Sequence, residues 1–124
     1  MSASHHKLGN LVAIVDRNQL CIDGFTEDVM SVEPIGERFA AFGWDTHRID
    51  GHDLNALVDV FGSLPPASGS KPQVIIADTV KGRGVKMMEL SLLWHVGNLA
   101  GADYDAVIAE LEQGLQPLSS DVAR

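Results

Sequence analysis

Residues 8–24 read LGNLVAIVDRNQLCIDG, and this stretch sets the fold of the 124-residue chain. Residues 11–15 form an apolar run rich in β-branched side chains, which is typical of a strand buried on both faces of a parallel sheet. The run stops at Asp16, and residues 16–19 form a polar turn at the carboxyl end of the strand. Because open α/β sheets bind their ligands at the carboxyl ends of the strands, this turn predicts a binding site.

The composition excludes several classes of protein. With 45% hydrophobic and 21% charged residues, this is an ordinary globular chain, long enough for one domain with its own core. The formal net charge of -8 and the scattered Lys and Arg residues argue against a nucleic-acid partner. No apolar run approaches the roughly 20 residues that span a bilayer, and residues 1–7 lack the apolar core of a secretion signal. We therefore expect no membrane span and a cytoplasmic location.

Hydrophobic periodicity and helix-boundary residues predict the remaining elements. One helix begins at Pro34, and a second is capped at its amino end by Asp53. A short strand at 44–49 lies between them, a second buried strand at 74–77 follows, and a last helix begins at Asp103. The apolar faces of the three helices consist of Ile35, Phe39 and Phe42, of Leu54, Leu57, Val58 and Phe61, and of Tyr104, Val107, Ile108 and Leu111.

Alternating strands and helices define the fold class. Their order predicts an α/β protein with a short parallel sheet of about three strands flanked by helices. Strands that are apolar throughout need cover on both faces, and about three helices are too few to supply it. We therefore expect part of the cover to come from another polypeptide or a second copy, so that the protein is an oligomer.

A series of short motifs resembles the thiamine-diphosphate-binding domain of transketolase. In chain order they are KLGNLVAIVDRN at 7–18, IDG at 22–24, FGW at 42–44, DGHD at 50–53, ADTVKGRGV at 77–85 and WH at 94–95. The resemblance is closest to the short amino-terminal subunit of transketolases that are split in two. It implies a partial thiamine-diphosphate-binding fold, present as one incomplete domain over residues 1–124, and a transferase that moves a two-carbon ketol unit.

Parts of the family's active site are absent from the sequence. Transketolases open the cofactor motif with Gly-Asp-Gly and a helix and close it with an Asp-x-Asn stretch, and this sequence has only the closing part, at 16–18. The aspartate that is the family's first metal ligand is therefore missing. The histidines of the substrate funnel are missing too, as is the pyrimidine-binding domain with its activating glutamate. The resemblance implies partner chains that supply the Gly-Asp-Gly segment and the pyrimidine-binding domain.

The resemblance assigns cofactor and metal contacts to the turn after the first strand. It implies that Asn18 gives its side-chain oxygen and Leu20 its backbone carbonyl to Mg²⁺ or Ca²⁺, the ion that holds the diphosphate of the cofactor. These hard cations prefer oxygen ligands. Ile22 would pack against the cofactor rings. The residues alone leave a second interpretation open, in which Asn18 ends the strand in an Asx turn and Ile22 is an ordinary core residue.

His95 is the candidate catalytic residue and a further cofactor contact. In the family, a histidine in a Trp-His-Gly setting reaches the cofactor and the reacting end of the substrate. An imidazole there can donate to a phosphate or carbonyl oxygen near neutral pH. Here the sequence is WHVG at 94–97, so the glycine is displaced by one residue. A functional and a structural role for His95 have equal weight.

Three other polar groups have simpler interpretations. His52 lies in a helix-entry turn, where a local hydrogen-bonding role is expected. His5 and His6 have no further ligands near them in the sequence, which favours a solvated terminus over a metal site. The loop KGRG at 81–84 has glycines and cations that suit a phosphate, but it lacks the spacing of a P-loop. We interpret it as a loop beside the site.

Two functions of different class remain open. In the first, the chain is a component of a split transketolase-like enzyme, inactive alone, which uses thiamine diphosphate with Mg²⁺ or Ca²⁺ once partner chains complete the site. In the second, it is a truncated non-catalytic scaffold or binding domain that retains the transketolase fold without cofactor. A neighbouring reading frame that ends in Gly-Asp-Gly and a helix would favour the first.

Overall fold

The computed structural model describes residues 1–114, in two compact units, one formed by Met1–Val80 and the other beginning at Lys81. The α/β class is confirmed. The first unit contains α1 Ser2–His5, β1 Val12–Arg17, β2 Leu20–Cys21, β3 Gly24–Phe25, α2 Thr26–Val29, α3 Ile35–Ala41, β4 Asp45–Asp50, α4 Leu54–Ser63 and β5 Gln73–Asp78. The second unit contains a 3-10 helix, Leu92–His95, and α5, Ala102–Gly114.

β5 is the centre of the main sheet. In the described part of the chain this sheet has three strands in the order β1-β5-β4, and both pairs are parallel, as predicted. Residues 73–77 of β5 are all buried, and Ile75 has no exposed surface. Ile14 of β1 and His47 of β4 stand opposite Ile75 in register. The prediction of a buried strand at 74–77 is therefore confirmed.

The prediction that residues 11–15 form a strand buried on both faces is wrong. Val12 is 37% exposed and Ile14 is 57% exposed, whereas Ala13 and Val15 are half-buried. Among residues 1–114, β1 pairs with β5 alone, so it is an edge strand. The face that carries Val12 and Ile14 remains open. An apolar run predicts a strand, but it does not reveal whether both faces of that strand are covered.

The helices pack through fewer residues than their periodicity predicts. α4 buries Val60 and half-buries Leu57, but Leu54 and Val58 are 76% and 70% exposed. α5 buries Val107. Other residues of the predicted apolar faces are also exposed, namely Phe42, Phe61, Tyr104, Ile108 and Leu111. The predicted apolar faces are thus wider than the surfaces that the described chain covers.

The start of α4 and the end of α3 follow from single residues. Asp53 Oδ1 accepts hydrogen bonds from the backbone N–H groups of Asn55 and Ala56 at 2.9 and 3.2 Å, so the predicted cap of α4 is confirmed. Gly43, just beyond α3, has a φ of +83°, the left-handed conformation that ends many helices. A side chain at this position would also collide with Ser4 Oγ. None of the described helices is both long enough and apolar enough to cross a membrane.

Candidate cofactor site

The carboxyl ends of the three strands of the main sheet lie side by side, and hydrogen bonds join them there. Arg17 of β1 and Asp50 of β4 both stand opposite Asp78 of β5. Beyond these ends, Thr79 N donates to Arg17 O at 3.2 Å. The Thr79 hydroxyl donates to the Asp16 carboxylate. Parallel α/β sheets bind their ligands at the carboxyl ends of their strands, so the turn after β1 is in the expected place for a site.

The turn after β1 contains the two candidate metal ligands. Asn18 Oδ1 accepts a hydrogen bond from Leu20 N at 3.1 Å, so the Asx turn is present. Gln19 lies between them with a φ of +70°. A side-chain carbonyl oxygen has two lone pairs and the turn uses one, so Asn18 Oδ1 retains the capacity to accept from a second partner. The Asx turn and a metal-binding role are therefore compatible.

Ile22 lies in the turn of a short hairpin that β2 and β3 form. Its side chain is 69% exposed. The interpretation of Ile22 as an ordinary core residue is therefore wrong, and its apolar side chain is open to another surface. The structure thus places Asn18, Leu20 and Ile22 in one continuous segment of the first unit.

Arg17 is a buried charge that the sequence analysis missed. It is only 7% exposed, and its guanidinium donates to Glu33, Thr26 and Glu27, each at 2.9 Å. A buried cation needs such partners because desolvation is costly. The partners come from the segment 26–33, and their spacing from Arg17 follows neither the helical nor the strand period. Periodicity therefore carries no signal for this cluster.

Glu33 bridges two arginines. Its carboxylate accepts from Arg17 and from Arg48, and Arg48 also donates to Asp78 at 2.7 and 2.8 Å. Hydrogen bonds from Arg48, from the backbone N–H of Ile35 and from Arg17 lower the pKa of Glu33 to about 2. Asp78 and Glu33 in turn raise the pKa of Arg48. The ends of β1, β4 and β5 thus share one network of charges.

Acid is expected to weaken the fold through Glu33. The ordinary glutamate pKa is 4.5 and the folded value is about 2, so the stabilisation is complete above pH 4.5 and is lost as the pH falls towards 2. Because Glu33 is partly exposed, we expect a contribution of roughly 1–2 kcal/mol. In denaturant unfolding, Glu33→Gln should be less stable than the parent chain at neutral pH, and the two should converge near pH 2. The control is Glu37→Gln, at an exposed residue of α3. A constant difference between Glu33→Gln and the parent at all pH values would contradict this expectation.

His52 makes both a local and a long-range hydrogen bond, since its backbone N–H donates to Asp50 Oδ1 at 2.9 Å. Its Nε2 accepts from Val80 N at 2.7 Å, which requires the neutral ring with its proton on Nδ1. The bond joins the turn before α4 to the residues that follow β5. At Gly51, a Cβ would lie 2.5 Å from Thr79 Cγ2, so this close approach needs glycine. The DGHD motif therefore packs the turn before α4 against the residues that follow β5.

His95 belongs to the second unit, at the end of the 3-10 helix Leu92–His95. The residue is half-buried, and within residues 1–114 its buried Nδ1 has no hydrogen-bond partner. A Cβ at Gly97 would lie 2.6 Å from Trp94 Cε3, so the displaced glycine makes room for the indole ring. Buried polar atoms are normally paired, and the unpaired nitrogen of His95 suits a ligand atom that would complete its bonding.

The glycine-rich loop at 81–84 binds a carboxylate of its own unit. Gly84 N donates to Glu89 Oε1 at 3.1 Å, and Arg83 Nε lies 4.0 Å from the same oxygen. Gly82 and Gly84 have φ angles of +79° and +97°, which permit this tight loop. Because Glu89 already occupies the Gly84 amide, the geometry agrees with a structural loop better than with a P-loop.

The residues of the turn fit one side of a metal and diphosphate site. Within residues 1–114, no group of three or more His, Cys, Asp and Glu side chains is arranged to hold a metal ion. The Asn18 side chain and the Leu20 carbonyl offer two neutral oxygens, the ligand type that Mg²⁺ and Ca²⁺ accept, but these ions take about six ligands. The remaining ligands would have to come from the diphosphate, water and other protein groups.

Comparison with known proteins agrees with this fold. The sequence matches the family described as transketolase, thiamine diphosphate binding domain, over residues 1–119. It is 37% identical over 121 residues to one subunit of the apulose-4-phosphate transketolase of Phocaeicola vulgatus, a match that covers 98% of this chain and 43% of that protein. A transketolase family protein of Sinorhizobium fredii is 46% identical over 115 residues, 93% of this chain and 41% of that protein. The crystal structure of transketolase from Campylobacter jejuni matches with a TM-score of 0.74 at 29% identity, over 91% of this chain and 17% of that one.

The fold and these matches define an α/β domain of the thiamine-diphosphate-binding class. The chain belongs to the transketolase family, in the part of the sequence that the thiamine diphosphate binding domain covers. The resemblance of the short motifs is therefore confirmed. The chain spans less than half the length of the curated relatives that it matches.

Proposed function

We propose that the chain is the thiamine-diphosphate-binding component of a split transketolase-like enzyme that transfers a two-carbon ketol unit and needs partner chains. The observation that carries the proposal is the turn after β1. There, Asn18 keeps acceptor capacity at the ligand-binding edge of a sheet that belongs to this family. The Phocaeicola vulgatus relative is named as one subunit of its transketolase, which supports an enzyme divided between chains.

The proposed cofactor is thiamine diphosphate with Mg²⁺ or Ca²⁺. In this proposal Asn18 Oδ1 and the Leu20 carbonyl bind the metal, and the exposed Ile22 packs against the cofactor rings. When bound, thiamine diphosphate supplies the carbanion chemistry that two-carbon transfer requires. The chain itself would bind and orient the cofactor: Asn18 Oδ1 and the Leu20 carbonyl would hold the metal, and Ile22 would shield the rings from water.

His95 is proposed as the catalytic residue and as a further cofactor contact. Its buried Nδ1 has no partner in the described part of the chain, so a phosphate or substrate oxygen would complete its bonding. An imidazole can both donate and accept a proton near neutral pH, which suits the reacting end of a carbonyl substrate.

The proposed partners are chains that supply the Gly-Asp-Gly segment, with its metal-binding carboxylate, and the pyrimidine-binding domain. Exposed apolar residues of β1, Val12 and Ile14, support an oligomer in which another chain covers the open face. In this proposal residues 1–124 form one incomplete domain. The proposed location is cytoplasmic.

The second candidate is a non-catalytic scaffold that keeps the fold without cofactor. The observation that favours it is the Asx turn, because Asn18 and Leu20 bond to each other and need no metal to shape the loop. A neighbouring reading frame that encodes the Gly-Asp-Gly segment would favour the enzyme component over the scaffold.

Asn18→Ala should weaken binding of thiamine diphosphate with Mg²⁺ in the reconstituted complex by roughly 10- to 100-fold, because one of few protein ligands is lost. Asn18→Asp should keep most of the affinity, since a carboxylate oxygen can both form the turn and bind the cation. The control is Asn55→Ala, at an exposed asparagine of α4. Calorimetric titration measures the affinity, and an unchanged dissociation constant for Asn18→Ala would overturn the metal role and leave the scaffold as the better account.

A further inference from the structure

A directed chain of hydrogen bonds connects Arg17 to the backbone of the Asn18–Leu20 turn. Arg17 Nη1 donates to Thr26 Oγ1 at 2.9 Å, and Thr26 Oγ1 donates to Gln19 O at 3.3 Å. Arginine can only donate, so the Thr26 hydroxyl must accept from it and has its own proton free for Gln19. The same carbonyl also accepts from Thr26 N at 2.9 Å. Thr26 therefore holds Gln19 O with two donors.

Gln19 is a residue that needs to be held. Its φ of +70° lies in the left-handed region, which is unfavourable for residues other than glycine. Gln19 joins Asn18 to Leu20, so its backbone angles decide how the Asn18 side chain and the Leu20 carbonyl are placed relative to each other. The two bonds from Thr26 offset the cost of this conformation.

Arg17 is fixed from its other side by carboxylates. Nε donates to Glu33 and Nη2 to Glu27, both at 2.9 Å, and the residue is 7% exposed. A guanidinium with three occupied nitrogens has little freedom to rotate, since its donors form a rigid planar fork. The Thr26 hydroxyl thus receives its hydrogen bond from a fixed direction.

We infer that Arg17 and Thr26 are positioning residues that hold Gln19 in the left-handed conformation and so preorganise Asn18 and Leu20 for the metal. This inference rests on the proposed metal role of Asn18 and Leu20. In this proposal neither Arg17 nor Thr26 binds the metal or the cofactor directly. Their effect is on the affinity of the site, because a turn that must be ordered on binding lowers the apparent affinity.

The test compares Thr26→Val with Thr26→Ser in the reconstituted complex. Valine keeps the shape and removes the hydroxyl, whereas serine keeps the hydroxyl. Thr26→Val should raise the dissociation constant of thiamine diphosphate with Mg²⁺ roughly tenfold, with kcat near that of the parent once the cofactor saturates. Thr26→Ser should bind like the parent. The control Ser63→Ala removes a hydroxyl that donates to Val60 O at 2.8 Å in α4, outside this network, and it should leave the affinity unchanged.

A second readout needs no cofactor. Hydrogen exchange at the amides of Leu20 and Thr26, measured in the complex before cofactor is added, should be faster in Thr26→Val than in the parent and unchanged in Thr26→Ser. If Thr26→Val does not assemble, Arg17→Lys replaces it, because lysine keeps the charge but lacks the planar fork that reaches Thr26 and both carboxylates together.

The outcomes separate this inference from the proposed function. Weakened binding in Asn18→Ala together with parent-like affinity and exchange in Thr26→Val would overturn the positioning role and leave the metal role standing. Parent-like affinity in Asn18→Ala would instead remove the metal role itself. Weakened binding in both Asn18→Ala and Thr26→Val, together with parent-like binding in Thr26→Ser, supports the positioning role of Arg17 and Thr26.

Discussion

The isolated chain is expected to bind thiamine diphosphate with Mg²⁺ at least roughly a hundredfold more weakly than the complex with its partner chains. The reason is the number and charge of the ligands. Asn18 and Leu20 offer two neutral oxygens, whereas these cations take about six ligands and favour carboxylates. No cluster of three or more acidic, histidine or cysteine ligands lies within residues 1–114 to supply the missing charge.

Calorimetric titration of the purified chain, with and without a partner that carries the Gly-Asp-Gly segment, measures this difference. Titration with Mg²⁺ alone and with thiamine diphosphate alone provides the controls. Tight binding by the isolated chain, in the micromolar range or below, would show that it carries a complete site and would contradict the proposed division of the site between chains.

Ile75→Ala is expected to lower the free energy of unfolding by about 3 kcal/mol, whereas Ile14→Ala should lower it by less than about 1 kcal/mol. The two isoleucines form a matched pair because they stand opposite each other on neighbouring parallel strands. Ile75 is fully buried and would leave a cavity, while Ile14 is 57% exposed and would leave none.

Denaturant unfolding of the two variants gives this comparison directly. In the complex, the proposed partner would cover β1 and make Ile14 a buried contact. We therefore expect Ile14→Ala to weaken association with the partner. Equal destabilisation of the isolated chain by both variants would contradict the edge position of β1, and unchanged association of Ile14→Ala would show that the partner binds elsewhere.

The comparison of β1 with β5 shows what the sequence can predict. Both strands read as short apolar runs rich in β-branched residues, and the prediction that both belong to a parallel sheet is confirmed. Only β5 has neighbours on both edges within residues 1–114, and this depends on the sheet order rather than on the strand's own residues. A local pattern predicts an element, but its burial is decided by segments far away in the chain or in another chain.

The candidate site also has a part that the sequence predicts and a part that it does not. The position of the turn follows from the end of an apolar run, just as the capping role of Asp53 in α4 follows from its residue type and position. The Arg17 cluster could not be predicted, because its partners, Thr26 and Glu27 of α2 and Glu33 beyond it, lie 9 to 16 residues away along the chain. The long-range partner of His52, Val80, is brought near by the pairing of β4 with β5.

The two edges of the main sheet differ in how they would meet foreign chains. β4 reads DTHRID and presents charges along its length, whereas β1 reads VAIVDR and is apolar for its first four residues. Charges on an edge strand discourage accidental pairing, and an exposed apolar edge invites it. A newly made chain of this kind would therefore be prone to aggregate until the proposed partner covers this edge. Production of both chains at the same time and place would protect it, and that requirement favours keeping their genes together.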